Sequence, residues 1–144
     1  MSSKAGSGMI RGLAHVGVAV RSLEPAIERW TKGLGFTHEH TETIESMGLR
    51  LAFLRSGDAV VELLEPTRSD SAVAGFLEKR GEGIHHLSFF VDDMAAALAR
   101  AETAGLELID RTGRPGSHGT EIAFLHPRAL GGVLVEFCRR KGSG

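Results

Sequence analysis

Two histidines and two glutamates recur at matching places along the chain, and together they have the chemistry of a metal site. His15 and His86 each stand near the start of a β-branched, apolar segment, 71 residues apart. Glu62 and Glu136 each interrupt a later apolar run, 74 residues apart. An ionised carboxylate inside an apolar strand is costly unless something neutralises it, and a bound cation would do so. Two imidazoles and two carboxylates, with water, suit a six-coordinate divalent ion, so we predict that these four side chains bind one.

An internal repeat explains why these residues would meet. The 71-residue offset between the histidines also sets the segment Leu51-Ala52-Phe53-Leu54 against Ile122-Ala123-Phe124-Leu125. A three-residue insertion near Gly131-Gly132 accounts for the later offset of 74. If two related modules are arranged around a pseudo-twofold axis, equivalent strand positions converge on a common cavity.

The elements that must position these residues read β-α-β-β-β in each module. Apolar runs bounded by turn residues predict strands, and apolar residues at helical spacing after a Ser or Asp N-cap predict helices. In the first module we expect a helix over residues 23–34, and strands over 13–20, 36–44, 49–55 and 60–64. A connector helix over 72–79 follows Ser71. In the second module we expect a helix over 94–104, strands over 84–91, 106–110, 121–125 and 133–137, and a mobile glycine-rich loop over 113–119. The fold class is therefore α+β with eight strands.

The same features set the expected boundaries. One domain spans residues 10–139, with module one at 10–66, the connector at 67–83 and module two at 84–139. Residues 1–9 are small and polar, and we expect a disordered tail or an expression remnant. Residues 140–144 form a second tail.

Composition favours small-molecule chemistry. The 144 residues include 17 basic and 18 acidic side chains, with a net charge of -1, which offers no electrostatic footprint for nucleic acid or an anionic membrane. No apolar run approaches the roughly 18 residues of a membrane span, and a single cysteine, Cys138, cannot form an intrachain disulfide. We expect a cytoplasmic protein.

Other side chains are weaker metal-ligand candidates. His85 adjoins His86, but strand neighbours point to opposite faces, so we expect His85 to pack or to make supporting hydrogen bonds. His38 and His40 would share one strand face in a polar stretch, where they could also bind metal. Cys138 shares a strand face with Glu136 and is expected in the core.

The repeated module with its four ligand residues resembles the vicinal oxygen chelate (glyoxalase/bleomycin resistance/dioxygenase) superfamily. Its paired modules curl into an open eight-stranded sheet around a divalent metal. Within it, the chain is most similar to the methylmalonyl-CoA epimerases over roughly residues 10–137. The segments that carry this similarity are His15-Val16-Gly17-Val18-Ala19-Val20, Glu62-Leu63-Leu64-Glu65-Pro66, Phe76-Leu77-Glu78-Lys79-Arg80-Gly81-Glu82-Gly83-Ile84-His85-His86, Arg114-Pro115-Gly116, Phe124-Leu125-His126-Pro127 and Gly132-Val133-Leu134-Val135-Glu136.

The resemblance implies an enzyme that interconverts (R)- and (S)-methylmalonyl-CoA, as in propionate metabolism. Loss of the C2 proton gives an enolate, whose charge a divalent ion would stabilise. The resemblance favours Co2+, with Mn2+, Ni2+, Zn2+ or Fe2+ as alternatives, a homodimer, a CoA-thioester substrate, and no nucleic-acid or membrane partner.

Inversion requires proton transfer on both faces of C2. Glu136 is our first candidate base. Some family members have a second glutamate where this chain has Leu51, so Glu45, or a water held by Glu62, is the hypothetical substitute. The Glu62 position is glutamine in some members.

Substrate contacts are expected from the glycine-rich loop and its neighbourhood. Backbone N–H groups there could meet the substrate carboxylate, and Arg114, Arg128 or Lys79 could meet the CoA phosphates. The candidate substrate-binding residues are Gly116, Ser117, His118, Gly119 and His126.

Three other functions remain open. One is a glyoxalase-type isomerase of the same superfamily. Another is an extradiol dioxygenase that uses His15, His86 and Glu136 as an iron triad, although the chain has no tyrosine. A third is a metal-free module that binds an antibiotic or another small molecule, although all four ligand positions are intact.

Overall fold

The computed structural model describes residues 8–141, and the predicted N-terminal tail up to residue 7 lies outside the described residues. Within this part of the chain, eight strands and three α-helices follow one another. They are β1 (Ile10–Ala19), α1 (Leu23–Glu28), β2 (Thr37–Ile44), β3 (Leu49–Ser56), β4 (Ala59–Pro66), α2 (Ala72–Arg80), β5 (Gly83–Val91), α3 (Met94–Thr103), β6 (Arg114–Pro115), β7 (Thr120–Leu125) and β8 (Val135–Arg140). None of the helices among these residues is long and apolar enough to cross a membrane.

The chain divides into two compact units, each described here by itself. The first unit is His15–His85, and the second unit joins the described residues up to Ala14 with those from His86 onward. The predicted modules, 10–66 and 84–139, are defined by the sequence repeat, and the compact units do not coincide with them. The first five residues of β1, from Ile10 on, belong to the unit that contains the end of the chain.

The first unit has the strand order β2-β3-β4-β1, in which β1 runs parallel to β4 and the other pairs are antiparallel. Helix α1 buries Leu23 and Ala26 in a cluster with Leu54 and Leu63. The predicted helix over residues 23–34 is present, but only its first six residues are α-helical, and Arg29–Gly33 form a π-helical segment. Ser22 stands at the N-cap position without accepting a side-chain cap hydrogen bond.

The predicted connector helix forms as α2. The Ser71 hydroxyl accepts a hydrogen bond from the backbone N–H of Ala74 at 3.1 Å, which satisfies one of the donors left open at the helix start. Val73 and Leu77 lie one turn apart and are buried in a cluster with Leu51 and Leu64. Helix α2 therefore completes the core of the first unit.

The second unit repeats the β-α-β pattern and runs β1-β5-β8-β7-β6. Strands β5 and β8 are parallel, and β7 pairs antiparallel with β8. Helix α3 starts where the Asp93 carboxylate accepts from the N–H of Ala96 at 2.9 Å, as predicted. Its Ala97 and Leu98 are buried against Phe137. Over both units the strand order β2-β3-β4-β1-β5-β8-β7-β6 forms an eight-stranded sheet, so the predicted α+β fold class is confirmed.

The last strands of the chain differ from the prediction. Residues 106–110 form no strand beyond the single bridge between Leu108 and Leu125, and the eighth strand is β6, inside the predicted mobile loop. The reason is a side chain that competes with the ladder, because the Asp110 carboxylate accepts the N–H of Phe124 at 2.8 Å. Strand β8 begins at Val135 and includes Arg140, which we had assigned to the C-terminal tail.

Candidate metal centre

The first unit buries one histidine beside one glutamate. His15 lies on β1 and Glu62 on β4, and their side chains, 6% and 5% exposed, place Nε2 3.5 Å from Oε1. The parallel pairing of these strands sets Gly17 opposite Glu62. Residues two apart on a strand point to the same face, so the His15 side chain lies on the face of β1 to which residue 17 points. Strand register thus determines which side chains meet.

The second unit repeats this arrangement. His86 on β5 and Glu136 on β8 are 5% and 4% exposed, and His86 Nε2 lies 3.9 Å from Glu136 Oε1. Here Ser88 stands opposite Glu136, again two residues after the histidine. The glutamate therefore pairs with the second residue after the histidine in both units, and the internal repeat extends to the strand register.

Burial gives the His15 imidazole the form that a metal requires. Removal from water lowers the pKa of His15, and the nearby Glu62 carboxylate opposes this shift only in part. At neutral pH the ring is consequently neutral, with a nitrogen lone pair that can coordinate a cation. The carboxylate of Glu62 supplies a hard oxygen ligand beside it.

An aromatic ring orients the second histidine. The Phe124 ring meets the His86 ring edge-on, with centroids 5.6 Å apart and an interplanar angle of 85°. Phe124 on β7 is also the residue opposite Glu136 on β8. In the same way, Phe53 on β3 is opposite Glu62 on β4. We did not predict this contact from the sequence. The repeated Ala-Phe-Leu segment, which contains Phe53 and Phe124, was the signal that could have indicated it.

The donor set fits a divalent transition metal. His15, His86 and Glu136 are all buried, and each offers an atom of the kind that could hold a metal ion. Imidazole nitrogen with carboxylate oxygen is a ligand combination that Mn, Fe, Co, Ni and Zn accept. Glu62, which is paired with His15, is the second buried carboxylate that we predicted as a ligand.

The predicted substrate loop is folded into a defined turn. Ser117, His118 and Gly119 form a short 3-10 turn, and the Thr120 hydroxyl donates to the Ser117 carbonyl at 2.6 Å. His118 adopts φ 58°, a left-handed conformation that is rare outside glycine and often marks functional sites. A Cβ at Gly116 would lie 2.6 Å from Ile122 Cγ2, so a larger residue here would have to displace the Ile122 side chain. The expectation that this loop is mobile stays a prediction.

The remaining acid-base and substrate candidates lie in separate turns. Glu45 begins a 3-10 turn, Glu45–Met47, and is exposed. His126 caps another turn, where its Nδ1 accepts from the N–H of Arg128 at 3.1 Å. The Arg128 guanidinium makes two hydrogen bonds to Glu107, at 2.9 and 3.2 Å. Leu51, where we placed the family's alternative glutamate, is 1% exposed and belongs to the core.

Two of the weaker ligand candidates are engaged within β2. His38 Nε2 lies 2.7 Å from the Thr41 hydroxyl, and His40 Nε2 lies 2.8 Å from Glu42 Oε1. The register of β2 against β3 shifts between the two histidines. This bulge interrupts strict alternation, so our expectation that His38 and His40 share one regular strand face is wrong.

His85 packs on helix α2, and its burial predicts a pH-dependent stability. Its ring meets Phe76 edge-on at 5.0 Å, and burial lowers the pKa of His85 to about 4. In the unfolded chain a histidine titrates near ~6.5. Between these values the unfolded chain binds the proton and the folded chain does not, so stability falls as the pH drops from about 6.5 towards 4. The loss reaches up to about 3 kcal/mol.

Urea unfolding of the metal-free protein across this pH range would measure the loss. Metal-free protein is needed because metal binding has its own proton linkage. The His85→Phe variant keeps a ring against Phe76 but cannot titrate, so its stability should depend less steeply on pH. Parallel profiles for the two proteins would contradict the assignment.

Comparisons with known proteins agree with this geometry. A family model described as the Glyoxalase/Bleomycin resistance protein/Dioxygenase superfamily matches residues 14–124. The uncharacterized protein YqjC of Bacillus subtilis is 41% identical over 130 residues, which cover 90% of this chain and 93% of that protein. The ethylmalonyl-CoA/methylmalonyl-CoA epimerase of Cereibacter sphaeroides is 37% identical over 131 residues, with coverage of 89% and 97%. A variant of the Streptomyces coelicolor methylmalonyl-CoA epimerase, in complex with 2-nitronate-propionyl-CoA, superposes with a TM-score of 0.88 at 37% identity, covering 93% of this chain and 97% of that one.

Proposed function

The chain belongs to the glyoxalase/bleomycin resistance protein/dioxygenase superfamily and, within it, to the methylmalonyl-CoA epimerases, and from this premise we propose that it interconverts (R)- and (S)-methylmalonyl-CoA. The observation that carries the proposal is the doubled histidine-glutamate pair, buried and in the same register in both units. A metal-free binding module would have no need to keep two glutamates at 4–5% exposure. This burial counts against the binding module, and the similarity to methylmalonyl-CoA epimerases favours the epimerase over the glyoxalase and dioxygenase alternatives.

We propose that His15, Glu62, His86 and Glu136 hold one divalent ion. When bound, such an ion supplies a positive charge that stabilises the enolate formed from the substrate thioester. Burial keeps the His15 ring neutral and able to coordinate, and the Phe124 edge fixes the His86 ring. The two carboxylates offset the charge of the cation in a region from which water is largely excluded.

Proton transfer is assigned to two glutamates. Glu136 is the first base, since it is buried among the ligand residues, and a carboxylate there would accept the C2 proton directly. Glu45 is the second, because Leu51 leaves the family's alternative position without an ionisable group. Each residue removes the proton from one epimer and returns a proton to the enolate when the other epimer reacts. This division of labour makes Glu45 and Glu136 act on opposite faces of C2.

Substrate binding is assigned to the turn around Ser117. Gly116, Ser117, His118 and Gly119 are proposed to meet the substrate carboxylate. The left-handed backbone at His118 supports this role, because successive residues of opposite backbone hand can direct their N–H groups to one side. His126 is proposed to line the same region. For the CoA phosphates we propose Lys79, Arg114 or Arg128. Both arginines already have an acidic partner, Arg114 in Asp110 at 3.2 Å and Arg128 in Glu107, whereas Lys79 is exposed on α2.

Finer features of the proposal rest on the family resemblance. We propose Co2+ as the preferred ion, a homodimer as the assembly, the cytoplasm as the location and propionate metabolism as the context. The balanced charge and the single cysteine, Cys138, are consistent with a cytoplasmic protein. The Cereibacter sphaeroides relative is named for ethylmalonyl-CoA as well, so this substrate is included in the test.

The decisive experiment follows the C2 proton. Metal-loaded protein is incubated in D2O with pure (R)- or (S)-methylmalonyl-CoA, and with ethylmalonyl-CoA, and the C2 signal is followed by NMR. We expect the C2 proton of methylmalonyl-CoA to exchange with deuterium while the two epimers interconvert. The absence of both exchange and interconversion in a protein shown to contain stoichiometric metal would rule out the epimerase and return the glyoxalase activity as the leading candidate.

A further inference from the structure

The Arg68 side chain ties the segment before helix α2 to the turn that carries Glu45. Its Nη1 donates a hydrogen bond to the backbone carbonyl of Glu45 at 2.7 Å. Its Nε donates to the Asp70 carboxylate at 2.9 Å, and the side chain is 45% exposed. One arginine thus joins two stretches that lie 23 residues apart in sequence.

The turn is shaped to receive this guanidinium. Gly48 follows the Glu45–Met47 turn in the left-handed conformation, φ 60° and ψ 45°, and its N–H donates to the Glu45 carbonyl at 3.1 Å. The same carbonyl oxygen therefore accepts from both Gly48 and Arg68. A Cβ at position 48 would lie 2.9 Å from Arg68 Cζ, so a side chain there would displace the guanidinium. The Gly48 carbonyl in turn accepts from the N–H of Thr67 at 2.8 Å, so the segment bearing Arg68 is attached twice.

The contacts of Arg68 are not explained by a contribution to folding stability alone. A half-exposed arginine paired with one exposed aspartate contributes little to folding. The hydrogen bond to Glu45, however, reaches the backbone of the one residue in this turn that could transfer a proton. General acid-base groups act only when placed closely, and a displacement of about 1 Å can cost on the order of 100-fold in rate.

We propose that Arg68 is a positioning residue for Glu45, holding the Glu45 backbone so that its carboxylate reaches one face of the substrate C2. The proposal rests on the proposed function. It adds that the two faces of the reaction are held by separate structural parts. Arg68 contacts the turn of Glu45 in the first unit, whereas Glu136 is positioned by its own strand, β8, in the second. Loss of Arg68 therefore weakens one proton transfer and spares the other.

The test measures C2 exchange from each epimer separately, for wild type and Arg68→Ala, in D2O and with the same metal loading. The epimer whose proton faces Glu45 is expected to lose its proton about 10- to 100-fold more slowly in the variant, while exchange from the other epimer changes by less than about twofold. General damage to the fold would slow both. Melting temperature and far-UV circular dichroism of each protein, measured alongside, show that the comparison is between folded proteins.

Two matched variants separate positioning from charge. Asp70→Ala breaks the ion pair of Arg68 but leaves its hydrogen bond to Glu45, so both exchange rates should stay near wild type. Arg55→Ala removes another half-exposed arginine of the first unit, 44% exposed and paired with Glu39, and should also leave both rates unchanged. Equal slowing of both epimers by Arg68→Ala, or no slowing of either, would overturn the role of Arg68 alone. A wild-type protein that exchanges neither epimer would overturn the proposed function itself.

A glycine pair provides a second route to the same answer. Gly48→Ala pushes a Cβ against Arg68 and should reproduce the asymmetry between the epimers. Gly57 also has φ 60°, but a Cβ there would meet nothing within 4 Å. Gly57→Ala therefore carries similar backbone strain without moving Arg68, and it should lower the melting temperature without separating the two rates. The same asymmetry in both glycine variants would contradict the role of Arg68.

Discussion

Replacing Glu136 with glutamine is expected to slow C2 exchange by about 1000-fold from the epimer whose proton faces Glu136, and to slow the other epimer much less. The substitution removes the base for one face, and a positioned base alone contributes about 10²- to 10⁴-fold. It also exchanges an anionic ligand for a neutral one, which weakens metal binding, so the two proteins are compared at equal metal content. Glutamine preserves the size of the side chain, so the buried position on β8 should remain filled. Exchange in D2O on metal-loaded variant protein, with metal content determined by mass spectrometry, measures the effect.

The matched comparison is Glu62→Gln. Glu62 has nearly the same burial and the same register relative to its histidine, but the resemblance to the epimerases implies that glutamine is tolerated at this position. Its loss of activity should therefore be much smaller than that of Glu136→Gln. If the two variants lose similar activity, Glu136 acts only as a ligand, and the base must be sought elsewhere.

Removal of the metal is expected to abolish exchange and to lower the melting temperature by roughly 8–16 °C. A ligand at about 1000 times its dissociation constant stabilises the folded state by about 4 kcal/mol, and in a protein of this size each kcal/mol corresponds to about 2–4 °C. The physical reason is that without a cation two carboxylates at 4–5% exposure retain only their protein neighbours as compensation. Calorimetry before and after chelation, and after Co2+ is added back, provides the measurement.

The His86→Ala variant serves as the control for this prediction. It lacks one proposed ligand, so its melting temperature should respond only weakly to added Co2+. Full exchange activity in chelated wild-type protein, or an equal stabilisation of wild type and variant by Co2+, would show that the stabilising ion binds at another place.

The pairing of each buried glutamate with a histidine was predictable from the sequence because two rules apply at once. A buried carboxylate in an apolar strand is costly, and a feature that recurs at nearly the same offset, 71 or 74 residues, is unlike chance. Glu62 and Glu136 satisfy both rules, and each is found 3.5–3.9 Å from the histidine of its own half. Helices α2 and α3 were predictable as well, since Ser71 and Asp93 are local signals that act within three residues.

What the sequence did not show depends on contacts between distant residues. The Asp110 carboxylate takes a backbone N–H 14 residues away, which displaces the expected strand, and no local pattern announces that choice. The link from Arg68 to Glu45 spans 23 residues and ends on a backbone carbonyl, which carries no sequence signature at all. The π-helical segment after α1 is likewise invisible to a period of 3.6 residues.

The division of β1 between the two compact units has a consequence for the order of folding. The described residues up to Ala14 belong with those from His86 onward, although the whole first unit lies between them in the sequence. The first unit is one continuous segment, whereas the second joins two segments that are distant in the sequence. Contacts of such sequence separation slow folding. We therefore expect the first unit to fold faster than the second, with the start of β1 as the last segment to be incorporated.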